Sequence, residues 1–237
     1  MSVNVFANLA RLAYLDGAEA KPLMKELGFK SHKFFDVDGA QCHIVHNEKD
    51  LVIVFRGTEP TELSDVLADL NAWPDKAWNG HGLVHNGFQN ELEKLWPKIV
   101  AHLKMQKKTR NIYICGHSLG AAMATICASR MPDTKHLYTF GSPRAGTKKF
   151  VKSIKVPHTR VVNNNDIVTS VPLFLMGYRH HGDLMYINFY GNVRKMTPWQ
   201  IIKDKWRGRW AAFKKRMPFD GAYDHGMDHY CKYTEDK

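Results

Sequence analysis

Gly116-His117-Ser118-Leu119-Gly120 places a serine between two glycines, one two residues before it and one two residues after. The chemistry this spacing serves is nucleophilic attack by a hydroxyl. A serine used that way sits on a sharp turn from strand to helix, and the glycines make room for its strained backbone. The flanks fit: Asn111 to Cys115 is an apolar strand-like run, and residues 119–130 are an Ala-rich helical run that stops before Pro132. A helix starting at Leu119 aims backbone N–H groups at developing negative charge.

A serine of ordinary acidity is a weak nucleophile. It needs a base, and the base needs an acid to orient it. With this motif the partners follow in the order serine, acid, histidine. Asp166, in VVNNNDIVTSVP, lies just past the end of a strand-like run, where open parallel sheets carry their active loops. Asp183, Asp204 and Asp220 are less well placed. Of the 13 histidines, only His180, His181, His225 and His229 follow Asp166. The first two precede a further strand-like run, whereas a base belongs on a loop after the last strand. That leaves DHGMDHY at 224–230, with His225 preferred by analogy with the motif's geometry and His229 as the alternative. These two are also four apart on a helix, which would suit a metal. However, no Glu follows the first as in HExxH, and no third ligand is evident, so neither a metal nor a cofactor is implied.

These residues require a scaffold. Residues 2–15 read as a helix, 41–46 and 51–56 as two strands around a polar turn, and 63–72 as an amphipathic helix. Residues 87–105 read as a longer helix with a kink expected at Trp96-Pro97. Strands are expected at 111–115, 136–140, 159–164 and 184–190. The alternation predicts an α/β domain, a mostly parallel sheet with helices on both faces. No linker rich in Gly, Ser or Pro divides 1–237, so a single domain is expected.

With these motifs in order, the sequence resembles the class 3 lipases, the fungal-lipase-like family of α/β hydrolases. The resemblance spans about 35–235. It rests on VIVFRGTE (52–59), HNGF (85–88), GHSLGAAMA (116–124), FGSPRAG (140–146), VVNNNDIVTSVP (161–172), YRHHGDLMYI (178–187) and DHGMDHY (224–230). It implies an α/β-hydrolase fold with a lid-like helix after the second strand, and a carboxylic-ester hydrolase acting on lipid or other esters. Ser118 would be the nucleophile, Asp166 the acid and His225 the base. Thr58 and the N–H of Leu119 would form the oxyanion hole, and His85 and His181 would play structural roles near the site. Lipase, phospholipase and short-chain esterase remain open, with a vestigial membrane-binding module on a hydrolase scaffold as the alternative. The fungal relatives are typically secreted and disulfide-bonded. This sequence shows neither a leader nor a convincing cysteine pair.

Two segments bear on partners. Leu63, Val66, Leu67, Leu70 and Trp73 or Pro74 recur at helical spacing where the family has its lid, and a packed surface helix would show the same pattern. Residues 194–217 carry nine bases (Arg194, Lys195, Lys203, Lys205, Arg207, Arg209, Lys214, Lys215, Arg216) against one acid, Asp204. That is a net +8 of the chain's +11. Trp199, Ile202, Trp206, Trp210 and Phe213 interleave them at spacings of three and four. This is the pattern of an interfacial anchor for an anionic membrane surface, with an ordinary helix packed by its aromatics as the competing reading. No nucleic-acid-binding fold accompanies the charge, so nucleic acid is not expected.

Composition excludes other classes. With 44% hydrophobic and 24% charged residues over 237 positions, the chain can bury a core and is neither disordered nor collagen-like. No apolar run is long enough for a spanning helix. Cys42, Cys115, Cys127 and Cys231 form no CxxC pair, and Cys115 and Cys127 read as buried small hydrophobes. No Sec-type signal opens the sequence, so a cytoplasmic location or leaderless export is expected.

Overall fold

The computed structural model describes residues 1–58, 74–78, 80–106, 108–214 and 220–235. The expected lid residues Leu63, Val66, Leu67, Leu70 and Trp73 lie outside that set. So do Lys215 and Arg216 of the basic segment.

A sheet of eight strands runs in the order β1 (Ser31–Val37), β2 (Ala40–His46), β3 (Asp50–Phe55), β6 (Asn111–His117), β7 (His136–Phe140), β9 (His158–Asn163), β11 (Asp183–Ile187) and β12 (Val193–Arg194). The middle five, from β3 to β11, are parallel, and antiparallel strands close both edges. This is the mostly parallel sheet expected of the α/β-hydrolase fold. A second, antiparallel sheet joins β4 (Pro74–Lys76), β5 (Leu83–His85), β8 (Gly146–Thr147) and β10 (Tyr178–Arg179).

The apolar run of β3 shows why both sheet faces are covered. Leu51, Ile53 and Phe55 enter one core with Phe88, Leu92, Ile99 and Ile114. Val52 and Val54 enter the other, with Phe6, Leu9, Cys115 and Tyr230. A strand apolar at every position must bury both faces. The first face is covered by α3 (Asn86–Lys104), α4 (Leu119–Arg130) and α5 (Lys148–Ser153). The second is covered by α1 (Val3–Leu12), α2 (Gly17–Glu26) and α8 (Met227–Tyr233). The long helix α3 includes Pro97 within one unbroken span. Helix α4 is small-sided and buried nearly all round, from Gly120 to Ala128. Two further helices, α6 (Pro198–Lys214) and the short α7 (Asp220–Tyr223), lead into α8. All four cysteines are free and buried.

The reading of the sequence differs from this in several places. Helix α2 and strand β1 were not anticipated, so the strand before the expected lid is third, not second. The second sheet was also not anticipated, because its strands are two or three residues long. The strand expected over 184–190 ends at Ile187, where Asn188 starts a turn: its side chain accepts the N–H groups of Tyr190 and Asn192 at 3.0 Å each.

Candidate active site

The parallel strands deliver their C-terminal ends to one place. Ser118 follows β6 directly, with φ +55° and ψ −129°. A non-glycine residue there carries strain of about 1–3 kcal/mol. Three bonds hold it: Ser118 N–H donates to Phe140 O at 3.1 Å, and its own carbonyl accepts the N–H groups of Ala121 at 3.0 Å and Ala122 at 3.3 Å as α4 begins. The hydroxyl is buried and has no hydrogen-bond partner among the described residues.

Asp166 lies three residues past the end of β9 and is fully buried. Its Oδ1 accepts the N–H of Val168 at 2.9 Å. Its Oδ2 accepts from His225 Nδ1 at 2.9 Å and from the Tyr230 hydroxyl. Burial alone would push the carboxyl up. The interaction and hydrogen bond with His225, followed by the bond from Tyr230, hold it below its ordinary value instead. Burial, with Asp166 beside it, pushes Tyr230 well above the usual phenol range, so it stays a donor.

His225 sits in the turn between α7 and α8, two residues ahead of the helix that was expected to start there. With Nδ1 on Asp166, the bare nitrogen is Nε2, which is buried and unpartnered among the described residues. His225 is further fixed by its backbone, whose carbonyl accepts from His117 Nε2 at 2.8 Å. His117 Nδ1 in turn lies 2.7 Å from the Tyr14 hydroxyl. A carbonyl can only accept, so His117 carries its proton on Nε2, and Tyr14 donates to Nδ1. Burial, then the neighbouring His225, pushes His117 down to about 3, so it stays neutral.

His229 does not reach Asp166. It lies between the rings of Tyr223 and Tyr233, at 4.5 Å and 5.9 Å. Asp204 is buried in α6, and Asp183 opens β11 on the surface. His85 stacks on Phe88 at 4.1 Å, and His181 pairs with His158 at 3.0 Å. His180 Nε2 meets the Thr169 carbonyl at 2.8 Å and so supports the loop beyond Asp166. No cluster of three or more metal-ligating side chains occurs among the described residues.

Thr58 lies three residues beyond the end of β3, not within the strand. The backbone beside it passes close to the serine: a Cβ on Gly57 would stand 3.1 Å from Ser118 Cβ. Thr58 and Leu119 together line a cleft of about 260 Å³ with Gln41, Arg56, Gly57 and Glu91. Gly141, after β7, has φ +57°, and a Cβ there would lie 2.7 Å from Asp166 Oδ2 and 2.8 Å from His225 Cε1.

The structure therefore joins Asp166 to His225 and leaves one bare polar atom each on His225 and Ser118. That nitrogen and that hydroxyl are the two groups a serine hydrolase needs to join. Apo sites often leave this bond long until substrate arrives. Tyr14, His117, Gly141 and Tyr230 were missed as supporting residues. For Tyr230 the signal was its place in the DHGMDHY run. For Tyr14, 103 positions from its partner, no local signal existed.

Residues 52–176 match the family model described as lipase (class 3). A lipase of Rhizomucor miehei is 33% identical over 156 residues, covering 60% of this chain and 42% of its own. The toxin TseL of Vibrio cholerae is 28% identical over 218 residues, covering 70% of this chain and 34% of its own. A solved triacylglycerol lipase, whose catalytic centre is described as a serine protease triad, superposes with a TM-score of 0.67 at 25% identity, over 78% of each chain. The chain spans about a third to a half of the length of the curated relatives it matches.

Proposed function

The chain belongs to the class 3 lipase family, and from that premise we propose that it is a serine carboxylic-ester hydrolase acting on lipid esters. The observation that carries this reading is the buried Asp166–His225 pair, bonded at 2.9 Å, with a bare Nε2 and the bare hydroxyl of Ser118.

In this mechanism His225 Nε2 takes the Ser118 proton as the hydroxyl attacks the ester carbonyl. Asp166 holds the ring in the tautomer that leaves Nε2 free and stabilises the imidazolium that forms. The oxyanion is met by the N–H of Leu119, at the open N-terminal turn of α4, and by Thr58 across the cleft. Each such donor contributes about 2.7–4 kcal/mol to the transition state. His225 then passes its proton to the leaving alcohol, and water activated by the same base releases the acid from the acyl-enzyme.

A lipid substrate is supported by the loop beyond Asp166. Its tip exposes Leu173, Phe174 and Leu175, the last 93% exposed. Several of the relatives are also named as lipases. The assembled Asp–His pair favours an enzyme over a vestigial scaffold. The test is labelling with a fluorophosphonate, followed by p-nitrophenyl esters of rising chain length alongside phospholipid vesicles. Wild type should label and Ser118→Ala should not. Equal labelling of both would overturn the assignment. Preference for the shortest ester over every lipid would overturn the substrate class.

A further inference from the structure

Helix α6 is turned inside out. The residues it buries are Asp204, Gly208 and Ala212, four apart. Its large apolar side chains face solvent instead: Trp199, Ile202, Trp206, Trp210 and Phe213, with Trp206 66% and Phe213 74% exposed. At about 100° per residue these five fall within an arc of about 80°, on the side opposite the buried stripe. Scattered surface apolar residues need no explanation, but a contiguous stripe of this size does. Of the two readings the sequence left open, packing of these aromatics on the domain is therefore not what the structure shows.

Polar bonds fix this orientation. The Asp204 carboxylate accepts from Asn164 Nδ2 at 2.9 Å, from the Phe189 N–H at 2.8 Å and from the Tyr186 hydroxyl at 3.2 Å. Asn165 Nδ2 donates to the Lys205 carbonyl at 3.2 Å. The helix passes so near that a Cβ on Gly208 would lie 2.7 Å from Asn164 Oδ1. A larger residue at 208 would prise α6 off the two asparagines that precede Asp166.

The stripe is edged with cations. Lys203 lies 5.3 Å from the Trp199 ring centre and Lys214 5.6 Å from that of Trp210, each one turn along. Arg207 lies 5.5 Å from the ring of Tyr190, and Arg209 flanks the other side. Asp204, the only acid in 194–217, is buried and pairs with Arg207 at 3.5 Å, so that segment supplies no further acid for Lys203, Arg209 and Lys214.

One occupant satisfies both demands. A bilayer containing acidic lipid offers hydrocarbon for the indole rings and, just above it, phosphates for the bases, whose stems lie along the rings. No helix among the described residues is long and apolar enough to cross a membrane, so such contact is peripheral. We propose that the exposed stripe of α6 docks on a membrane surface bearing acidic lipid. By gripping Asn164 and Asn165 it also sets the catalytic-acid loop in a fixed orientation to that surface. The docking does not depend on catalysis, although its purpose rests on the lipid-ester reading above.

The test is co-sedimentation of the full chain, carrying Ser118→Ala to keep lipid intact, with phosphatidylcholine vesicles containing increasing phosphatidylglycerol. Binding should rise with the acidic fraction and fall as salt shortens the Debye length from about 10 Å at 0.1 M. Each base near an acidic leaflet strengthens binding about fivefold. Lys203→Gln, Arg209→Gln and Lys214→Gln together should therefore weaken it on the order of 100-fold. Trp206→Ala with Trp210→Ala should weaken it at every salt concentration. In the catalytic background, all these variants should hydrolyse a soluble short-chain ester at the wild-type rate, which also shows that they are folded. Equal binding to neutral and acidic vesicles, binding to none, tight salt-sensitive binding to duplex nucleic acid without vesicle binding, or a dimer built on the stripe would each overturn the proposal. Absence of ester hydrolysis with docking intact would overturn the enzyme reading alone.

Discussion

Asp166→Asn isolates the role of one charge in a site whose geometry dictates how the amide must sit. The two carboxylate oxygens are not equivalent. Oδ1 accepts only the N–H of Val168, and a backbone donor cannot become an acceptor. Oδ2 accepts from His225 and from the Tyr230 hydroxyl. An imidazole can move its proton and a phenol can rotate. Placing the amide nitrogen at Oδ1 would oppose two donors in a buried place, costing about 1–3 kcal/mol. The nitrogen therefore goes to Oδ2, His225 Nδ1 becomes the acceptor, and the ring proton moves to Nε2. That nitrogen can then no longer take a proton from Ser118. The loss expected for a wrong tautomer is about 10⁴ in kcat, or about 5 kcal/mol at 1.36 per tenfold. KM for a soluble p-nitrophenyl ester should change little, since Asp166 is fully buried and touches no part of the cleft. The assay is kcat and KM near neutral pH, with nitrogen-15 shifts of the His225 ring to locate its proton. A loss under tenfold, or a proton still on Nδ1, would refute the reasoning.

Ser118→Ala and His225→Ala should each cost about 10⁴-fold or more in ester turnover, since nucleophile and base act as one unit. His229→Ala should be mild, because its ring lies between Tyr223 and Tyr233 and does not bond to Asp166, and the reverse ranking would move the base. Gly141→Ala combines a left-handed φ with a methyl 2.7 Å from Asp166 Oδ2. It should lower Tm and reduce kcat at least 100-fold, and activity within threefold of wild type would contradict the packing. Stability should fall in mild acid. Burial pushes His43 and His117 down to about 3, so the folded state refuses protons that the unfolded chain binds below about pH 6.5. Their contribution is thus present above pH 6.5 and lost as pH drops. From pH 5.5 to 4.5 each loses about 1.4 kcal/mol. Urea midpoints at those pH values measure it, and a flat profile would count against two neutral buried histidines.

The parallel sheet and the serine elbow were legible because their signals are local. A fully apolar run such as Leu51 to Phe55 must be buried on both faces. A GxSxG between an apolar run and a small-residue run leaves little choice of turn. Asp166 and His225 followed from chain order and from the family's motifs. What stayed hidden was whatever depends on distant neighbours. Nothing near Tyr14 marks it as the donor to His117, 103 positions later. The spacing of α6 marked it as amphipathic without saying which face the protein would take. The sequence reading left that choice open, and three small or polar residues, Asp204, Gly208 and Ala212, decided it. The reading passed over 16–40 because β1 alternates weakly and its side chains are only half-buried.

The bond between Asp166 and His225 spans 59 positions, and it also sets a timetable. Protein synthesis runs at about 5–20 residues per second, so the acid leaves the ribosome roughly 3–12 s before the base. In that interval the growing chain already holds β3, β6, β7 and β9, enough to seat Ser118 in its elbow. Yet its acid lacks the partners that settle its charge, since both His225 and Tyr230 are still to come. The proposed site is therefore closed by a segment that follows every described strand, and the Asp166–His225 pair cannot form until that segment arrives.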